Sequence, residues 1–188
     1  YIKLPLGIYI YDTDQNFTLP ENWNPKNNSK AVGVYVGTEN SKFVIAPTST
    51  NIDNVVWSYS DEGISGIVMS NDSAVAKKDY AGETNTDKII AKLGENAAPA
   101  AQYCRKYTFK NGKKGYLWSL GEAQDAFNNK EAIDAALVKI DGFGMSIGND
   151  HWTSTQYNNY RAWKLNWISG DYFGNKGDQA YVRAVSAL

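Results

Sequence analysis

The sequence predicts an α+β fold of mixed short antiparallel strands and two to four helices, with a loop-rich C-terminal half. Three observations carry this prediction. Residues 30–47 alternate as a β-hairpin does, the middle of the chain carries helix-starting and helix-ending signals, and residues 145–188 contain short strand-like segments joined by polar, glycine-bearing pieces. Strands and helices that are segregated along the chain in this way are typical of α+β domains.

The length and charge of the chain limit its class. A chain of 188 residues suits one domain, in which residues 1–30 could form an N-terminal extension. The 19 basic and 20 acidic residues nearly balance, and no basic run occurs, so no nucleic-acid partner is expected. No apolar stretch approaches the ~18 residues that span a bilayer, so this chain is not expected to insert into a membrane.

The first third of the chain predicts strands. "GIYIY" at 7–11 is a short strand, and "DTDQN" at 12–16 is a turn, because the glycine and glutamate that a calcium loop would require do not follow it. "KAVGVYVGTENSKFVIAP" at 30–47 alternates on both sides of a polar turn, which predicts a hairpin. A further strand is predicted near 64–69.

Helix signals follow in the middle of the chain. Thr86 is predicted to cap a helix that Gly94 ends, and Pro99 fits the first turn of a second helix over about 98–107. "SLGE" at 119–122 is a capping box that starts a third helix. A fourth begins at "NNKE" and ends at two glycines, and its apolar stripe comprises Ile133, Ala136, Leu137 and Ile140.

From residue 145 onward the pattern changes. "HWTSTQY" at 151–157, "AWKLNW" at 162–167 and "AYVRAV" at 180–185 have strand character. The stretch "ISGDYFGNKGDQ" at 168–179 shows no period, so we expect it to form an irregular connection between strands.

Catalytic arrangements are poor. Cys104 recurs with apolar neighbours at helical spacing, which indicates a buried structural thiol, and it would be a catalytic thiol only if the fold brought it to the sole histidine, His151. One histidine excludes histidine-based metal clusters, and no nucleophile elbow, phosphate loop or dinucleotide fingerprint occurs. Paired-acid glycoside hydrolysis stays an alternative with four scattered carboxylates: Asp141, Asp150, Asp171 and Asp178. We therefore predict no enzyme activity, no cofactor and no metal.

Aromatic residues crowd into the C-terminal region. Trp152, Trp163 and Trp167 are predicted to pack a core under the loops. Tyr172 and Phe173 lie beside glycine and aspartate without alternation, so we expect both to project outward. Exposed tyrosine among Ser, Gly, Asn and Asp has the composition of an antibody-like binding surface, because tyrosine offers a large contact area at small entropic cost.

The C-terminal motifs resemble those of a known family. "WTSTQY", "AWKLNW" and the terminal "YVRAVSAL" are similar to the C-terminal segment of C-type-lectin-fold variable proteins, the targets of diversity-generating retroelements in gut Bacteroides and their phages. "GYLWSLGEAQDAFNNKEAIDAAL" at 115–137 resembles the helical segment before that region. The resemblance covers residues 115–188 and implies a C-type-lectin-like domain over 1–188, with a variable ligand-binding region at 145–188.

In this family, retroelement copying replaces adenines at chosen codons, which reaches most residue types but not tryptophan. Most residues of 168–178 are reachable, whereas Trp163 and Trp167 are not, as framework positions should be. Lys164, Lys176 and Gln179 depart from the simple rule. The resemblance therefore implies a fixed scaffold that displays replaceable side chains between its strands.

The expected function is ligand binding by a diversifiable surface at about 157–180. The ligand would be a protein or cell-surface molecule, and the location would be extracellular, on a bacterial surface or a phage particle. The predicted binding residues are Tyr157, Asn158, Asn159, Tyr160, Arg161, Lys164, Asn166, Ile168, Ser169, Asp171, Tyr172, Phe173, Asn175, Asp178 and Gln179.

Three alternatives remain beside this function. The main one is a surface or fimbria-associated adhesion domain of the same fold without diversification. A calcium-dependent sugar-binding lectin is less well supported, because neither "EPN" nor "QPD" occurs and the usual cysteines are missing. An enzyme resembling the formylglycine-generating enzyme would need cysteines that this chain lacks.

Overall fold

The computed structural model describes residues 3–145 and 150–188, and they form two β-sheets with helices packed around them. The first sheet has six strands in the order β2-β1-β3-β4-β11-β6. These strands are β1 (Gly7–Asp12), β2 (Phe17–Thr18), β3 (Ala31–Gly37), β4 (Lys42–Ile45), β6 (Tyr116–Leu117) and β11 (Ala184–Ser186). β3 is buried along its whole length because α5 covers one of its faces and the core covers the other.

The second sheet carries the region that the sequence singles out. Its five strands lie in the order β5-β10-β7-β8-β9. They are β5 (Ile52–Val56), β7 (Asp150–Gln156), β8 (Arg161–Asn166), β9 (Gly170–Asn175) and β10 (Gln179–Val182). β7, β8 and β9 form an antiparallel meander, whereas β10 runs parallel to β7. The expectation of antiparallel pairing throughout is therefore wrong at this one pair.

Helices cover the two sheets. Among the described residues they are α1 (Ser73–Ala76), α2 (Gly82–Leu93), α3 (Pro99–Lys106), α4 (Leu120–Phe127) and α5 (Lys130–Asp141), with short 3-10 turns at Pro20–Asn22, Pro25–Lys30 and Thr48–Thr50. This is one α-helix more than the upper limit predicted, because the single-turn α1 escapes any periodicity. No helix in the described ranges combines the length and apolar character that crossing a membrane requires.

A single large core joins the two sheets. It takes side chains from β1, β3 and β4 on one side and from β7, β8 and β10 on the other, with α2, α3 and α5 filling in between. The chain passes from the second sheet to the first at Arg183, so "AYVRAV" is two strands rather than the single segment expected. The buried guanidinium of Arg183 donates from Nη1 to the Ala46 carbonyl at 3.0 Å and from Nε to Asn51 Oδ1 at 3.3 Å.

Several local predictions are confirmed. β1 matches "GIYIY", β3 and β4 form the predicted hairpin, and Gly94 ends α2 with a positive φ of 81°. The capping box before α4 is present with both of its hydrogen bonds. Asp12 holds the "DTDQN" turn by accepting from the backbone amides of Asp14 and Asn16.

Three local predictions are wrong. Thr86 lies inside α2, where its hydroxyl donates to the Gly82 carbonyl at 2.8 Å instead of capping the helix. The strand near 64–69 is absent, and only Met69 forms an isolated bridge to Gln156. The aperiodic stretch 168–179 contains the regular strand β9, paired along its length with β8. The C-terminal half is thus richer in strands than the sequence indicates.

Candidate functional site

The strand β7 forms the base of the candidate site with four buried polar side chains, at residues 153–156. Thr155 donates to Asp79 Oδ2 at 2.8 Å and accepts from the Leu120 amide at 2.9 Å. Thr153 donates to the Trp163 carbonyl at 2.9 Å. Buried polar groups in proteins are nearly always hydrogen-bonded, and here their bonds connect β7 to β8 and to the first residue of α4.

Gln156 and Lys176 together hold the loop that precedes α1. The Gln156 amide accepts from the Ile64 backbone N–H at 2.8 Å and donates to the Ile64 carbonyl at 2.9 Å. The buried ammonium of Lys176 donates to Gln156 Oε1 at 3.1 Å and to the Glu62 carbonyl at 2.6 Å, and it lies 4.5 Å from the centre of the Trp57 ring. Burial lowers the pKa of Lys176 to about 8, although Asp61 and Glu62 oppose that shift.

The three C-terminal tryptophans are buried, as predicted, and each uses its indole N–H. Trp152 donates to the Val55 carbonyl at 2.8 Å and Trp163 donates to the Ser70 carbonyl at 2.9 Å. Trp167 donates to the Asp134 carboxylate at 3.0 Å. The three indoles therefore connect β7, β8 and the residue after β8 to three separate parts of the chain, and they stabilise the scaffold of the second sheet.

The outer edge of the second sheet carries a row of aromatic rings, here called the aromatic strip: Tyr157, Phe173 and Tyr172. The Tyr157 and Phe173 rings stack with their centres 4.2 Å apart, and the Phe173 and Tyr172 rings are 5.6 Å apart at 24°. Trp163 packs under the first two rings. Tyr172 is 55% exposed and Phe173 is partly buried, so the outward prediction holds for Tyr172 and is wrong in part for Phe173.

Arg161 lies beside the aromatic strip at the start of β8. The centre of its guanidinium is 5.3 Å from the Tyr160 ring centre and 5.7 Å from the Phe173 ring centre. Its Nε donates to Asn175 Oδ1 at 3.2 Å. Two ring contacts and one amide contact hold the guanidinium in a defined position.

Lys164, which is among the predicted binding residues, is buried at 7% exposure. Its ammonium is 5.3 Å from the Trp152 ring centre and 5.4 Å from the Tyr172 ring centre, and 3.4 Å from Asp150 Oδ2. Gly174 makes room for it, since a Cβ there would lie 2.9 Å from Lys164 Nζ. Lys164 thus supports Tyr172 from below, because a cation between aromatic rings adds attraction to packing.

Asp171 is also engaged inside the protein. Lys77 forms an ion pair with it at 2.7 Å, and the Ser73 hydroxyl donates to it at 2.8 Å. Partial burial acts to raise the pKa of Asp171, but the hydrogen bonds from Lys77 and Ser73 outweigh burial and lower it. The Asp171 carboxylate therefore holds α1 against β9.

The structure places the predicted binding residues in three groups, and their binding role stays a prediction. The exposed group comprises Asn159, Tyr160, Ile168, Ser169, Tyr172, Asn175, Asp178 and Gln179. The partly buried group comprises Tyr157, Asn158, Arg161, Asn166, Asp171 and Phe173. Lys164 alone is buried.

The loop of residues 59–72 borders the same surface and was missed from the sequence. A Cβ at Gly63 would lie 2.5 Å from Asn159 Oδ1 and 2.8 Å from Met69 Cε, so loop and β7–β8 turn are adjacent. Tyr59 is exposed, as is Met69. The mixture of Trp57, Tyr59, Gly63 and Gly66 in and just before this loop was the available signal, because the same residue types marked the C-terminal region.

The thiol and the imidazole considered for catalysis, those of Cys104 and His151, are both fully buried. Burial raises the pKa of the Cys104 thiol well above its ordinary value, so the thiol stays protonated. His151 is fully buried, and neither of its ring nitrogens has a hydrogen-bond partner in the described part of the chain. No group of three or more metal-binding side chains occurs within residues 3–145 and 150–188. A cleft of about 530 Å³ lies elsewhere, between β1 and the turn at 110–113.

Comparison with known proteins identifies the fold. The chain is similar to a fimbrial protein from Bacteroides ovatus of known crystal structure, with a TM-score of 0.72 and 14% sequence identity over 98% of this chain. The match spans 49% of the fimbrial protein, so this chain corresponds to about half of its length. No family model matches the sequence, and no similar curated protein was found. The class defined is therefore an α+β domain with the fold of a fimbrial protein.

Proposed function

We propose that this chain is a ligand-binding adhesion domain of a bacterial surface or fimbrial protein, without enzymatic activity. Its binding surface comprises the aromatic strip, Arg161 and the neighbouring turns of the second sheet. The ligand is a protein or another cell-surface molecule. The likeness to a fimbrial protein supports a location outside the cell, since it covers nearly the whole of this chain.

One observation carries this proposal. Tyr172 is 55% exposed on the edge strand β9, which is paired with β8 along its length and is held to Lys77 through Asp171. A tyrosine ring that is more than half exposed to water adds little to the stability of a protein, because little of its apolar surface is buried. A rigid aromatic side chain presented on a fixed strand is instead what binding hot spots use, because little conformational entropy is lost when the partner docks.

The finer assignment of the fold is also part of the proposal. We infer that the domain is a variant of the C-type-lectin-like fold, on the strength of the motifs between residues 115 and 188. Each of these motifs lies in a defined element, which supports this inference: "SLGE" caps α4, "WTSTQ" lies in β7 and "AWKLN" lies in β8.

Binding of the purified chain to cell surfaces tests this function. Fluorescently labelled wild-type protein is titrated onto intact bacterial and epithelial cells, and bound fluorescence is measured by flow cytometry. Saturable binding is expected, with a loss of about tenfold or more in affinity for Tyr172→Ala, as for a hot-spot residue. The matched control is Phe143→Ala, because Phe143 is an exposed aromatic residue after α5 with 60% exposure.

Two results would contradict the proposal. One is saturable binding that Tyr172→Ala leaves unchanged while Phe143→Ala abolishes it, which would move the binding surface to the end of α5. The other is turnover of a glycoside by the wild-type protein that is lost in Asp150→Asn, which would restore the paired-acid alternative.

Diversification of this surface is a second proposal, with its own supporting observation. The side chains of Ile168 and Tyr172 are 66% and 55% exposed, whereas Trp163 and Trp167 are buried. The exposed residues are thus ones that adenine replacement can produce, whereas the buried tryptophans are ones that it cannot produce. A search of the gene neighbourhood for a near-copy of codons 150–188 beside a reverse transcriptase gene tests it. If complete flanking sequence contains no such copy, the retroelement proposal is wrong and the adhesion proposal stands.

A further inference from the structure

We propose that Arg161 receives a carboxylate group of the ligand, and that this ligand is a polypeptide presenting an Asp or Glu side chain. The inference rests on the function proposed above and gives it a chemical partner. It depends on which cations around the β8–β9 hairpin are already engaged within the protein.

Three lysines near the hairpin are satisfied internally. Lys77 pairs with Asp171 at 2.7 Å and Lys164 pairs with Asp150 at 3.4 Å. Lys176 donates to the Glu62 carbonyl and to Gln156 inside the fold. Arg161 differs from all three, since no carboxylate of the described residues lies within ion-pair distance of it.

The geometry of Arg161 leaves one side of its guanidinium available. The Nε atom is engaged by Asn175, and the guanidinium lies beside the Tyr160 and Phe173 rings. Both terminal nitrogens lack an acceptor in the part of the chain that the structure describes. These two nitrogens form the fork that binds the two oxygens of a carboxylate in parallel, and fixing the guanidinium beforehand reduces the entropy lost on binding.

The surroundings favour a polypeptide over a saccharide. Arg161 is bordered by Tyr160 and the aromatic strip, and tyrosine and arginine are the residues enriched in protein–protein hot spots. Tyr157, Phe173 and Tyr172 offer a row of rings at the edge of a sheet, where an extended chain can lie with an acidic side chain reaching Arg161. The aromatic strip and Arg161 line none of four clefts of about 240 to 530 Å³ that lie elsewhere on the described residues.

Titration of isotope-labelled protein with three small probes tests the inference. The probes are a blocked Gly-Glu-Gly peptide, the matched Gly-Gln-Gly peptide and methyl glucuronide, and the signal is the Arg161 Nε–H resonance, assigned by its loss in Arg161→Lys. The Glu peptide should shift this resonance with a Kd in the millimolar range, and the Gln peptide should bind about tenfold more weakly. Methyl glucuronide should bind more weakly than the Glu peptide.

Variants separate the fork from simple charge. Arg161→Lys keeps the charge but loses the fork, so about tenfold weaker binding of the Glu peptide is expected, with tertiary structure checked by near-ultraviolet circular dichroism. Asn175→Ala keeps Arg161 and removes the Nε anchor, so an intermediate loss is expected. Lys139→Gln removes an exposed charge on α5 and should change nothing.

Several outcomes would overturn the inference. Equal shifts by the Glu and Gln peptides, or none up to about 10 mM, would show that Arg161 does not receive a carboxylate. Tighter binding of methyl glucuronide than of the Glu peptide would replace the polypeptide with an acidic saccharide. If these failures occur while Tyr172→Ala still abolishes cell binding, the adhesion function stands and the carboxylate anchor is wrong.

Discussion

Replacing His151 with leucine should stabilise the protein, and the gain should increase as the pH falls. The imidazole is fully buried between Trp118 and Tyr181, and neither nitrogen has a partner in the described residues. A buried polar group without a hydrogen bond costs about 1–3 kcal/mol, which an apolar side chain of similar volume removes. At about pH 7.5 we therefore expect His151→Leu to unfold with a free energy about 1–3 kcal/mol higher than wild type.

The pH dependence follows from the same burial. Burial, together with the nearby charge of Arg183, lowers the pKa of His151 from its ordinary value near 6.5 to about 3. Between these values the unfolded chain binds the extra proton and the folded chain does not, so stability is complete above the higher value and falls with falling pH. At about pH 4.5 this difference in proton binding lowers the free energy of unfolding of the wild type by about 2.7 kcal/mol, and the leucine variant does not show this loss.

Urea unfolding followed by tryptophan fluorescence at four pH values between about 4.5 and 7.5 measures this difference. His151→Gln is the matched control, because it keeps a buried polar group but cannot titrate. The free energy of unfolding of His151→Gln should not show the fall at low pH that His151 causes, and at neutral pH it should not exceed that of wild type. A constant difference between wild type and His151→Leu across this range would refute the assignment of His151 as a buried, neutral and unpartnered group.

Three further predictions use the same unfolding assay. Gln156→Leu should lower the free energy of unfolding by about 3–5 kcal/mol, because the Ile64 N–H and C=O and the Lys176 ammonium each lose a hydrogen-bond partner. The Ile64 amide should then exchange with solvent faster, and a loss below about 1 kcal/mol would contradict the role of Gln156 in holding this loop. Burial raises the pKa of Glu122 to about 7, so the folded chain gives up this proton less readily than the unfolded chain and stability falls as the pH rises. From about pH 5 to pH 8 the free energy of unfolding of wild type should fall by about 2.5 kcal/mol more than that of Glu122→Gln, and an equal pH dependence of the two proteins would refute this pKa. Tyr172→Ala should change stability by less than about 1 kcal/mol, whereas a larger loss would mean that Tyr172 is structural.

The parts of the fold that were predictable depend on contacts close in sequence. The capping box of Ser119 and Glu122 needs only three residues of separation, and the hairpin of β3 and β4 needs only alternation and a polar turn. The α+β class follows from these local signals. Neither Thr86 nor residues 64–69 behaves as predicted, because contacts distant in sequence decide their structure: Thr86 binds across to Leu117, and Ile64 is held by Gln156.

Strand β9 could not be recognised from its sequence for a related reason. Gly170 and Gly174 interrupt any alternation, and each glycine has a duty that depends on a distant part of the chain. Gly170 takes a positive φ of 96° beside Phe127, and Gly174 leaves space for the Lys164 ammonium. The exposure of Tyr172 was nevertheless predicted, because it lies among Ser, Gly, Asn and Asp without alternation, whereas its binding role stays a prediction.

The contacts beneath the aromatic strip limit which of its residues could vary if the surface is diversified. Tyr172 and Ile168 meet mainly solvent, so their replacement would leave the fold intact. Asp171 holds α1 through Lys77, and Phe173 stacks on Tyr157, so replacing either would lose an internal contact. Natural variants of this chain should therefore differ at the first pair and keep the second. Variants that differ equally at all four positions would mean that β9 does not depend on these contacts, and that its shape comes from backbone pairing with β8 alone.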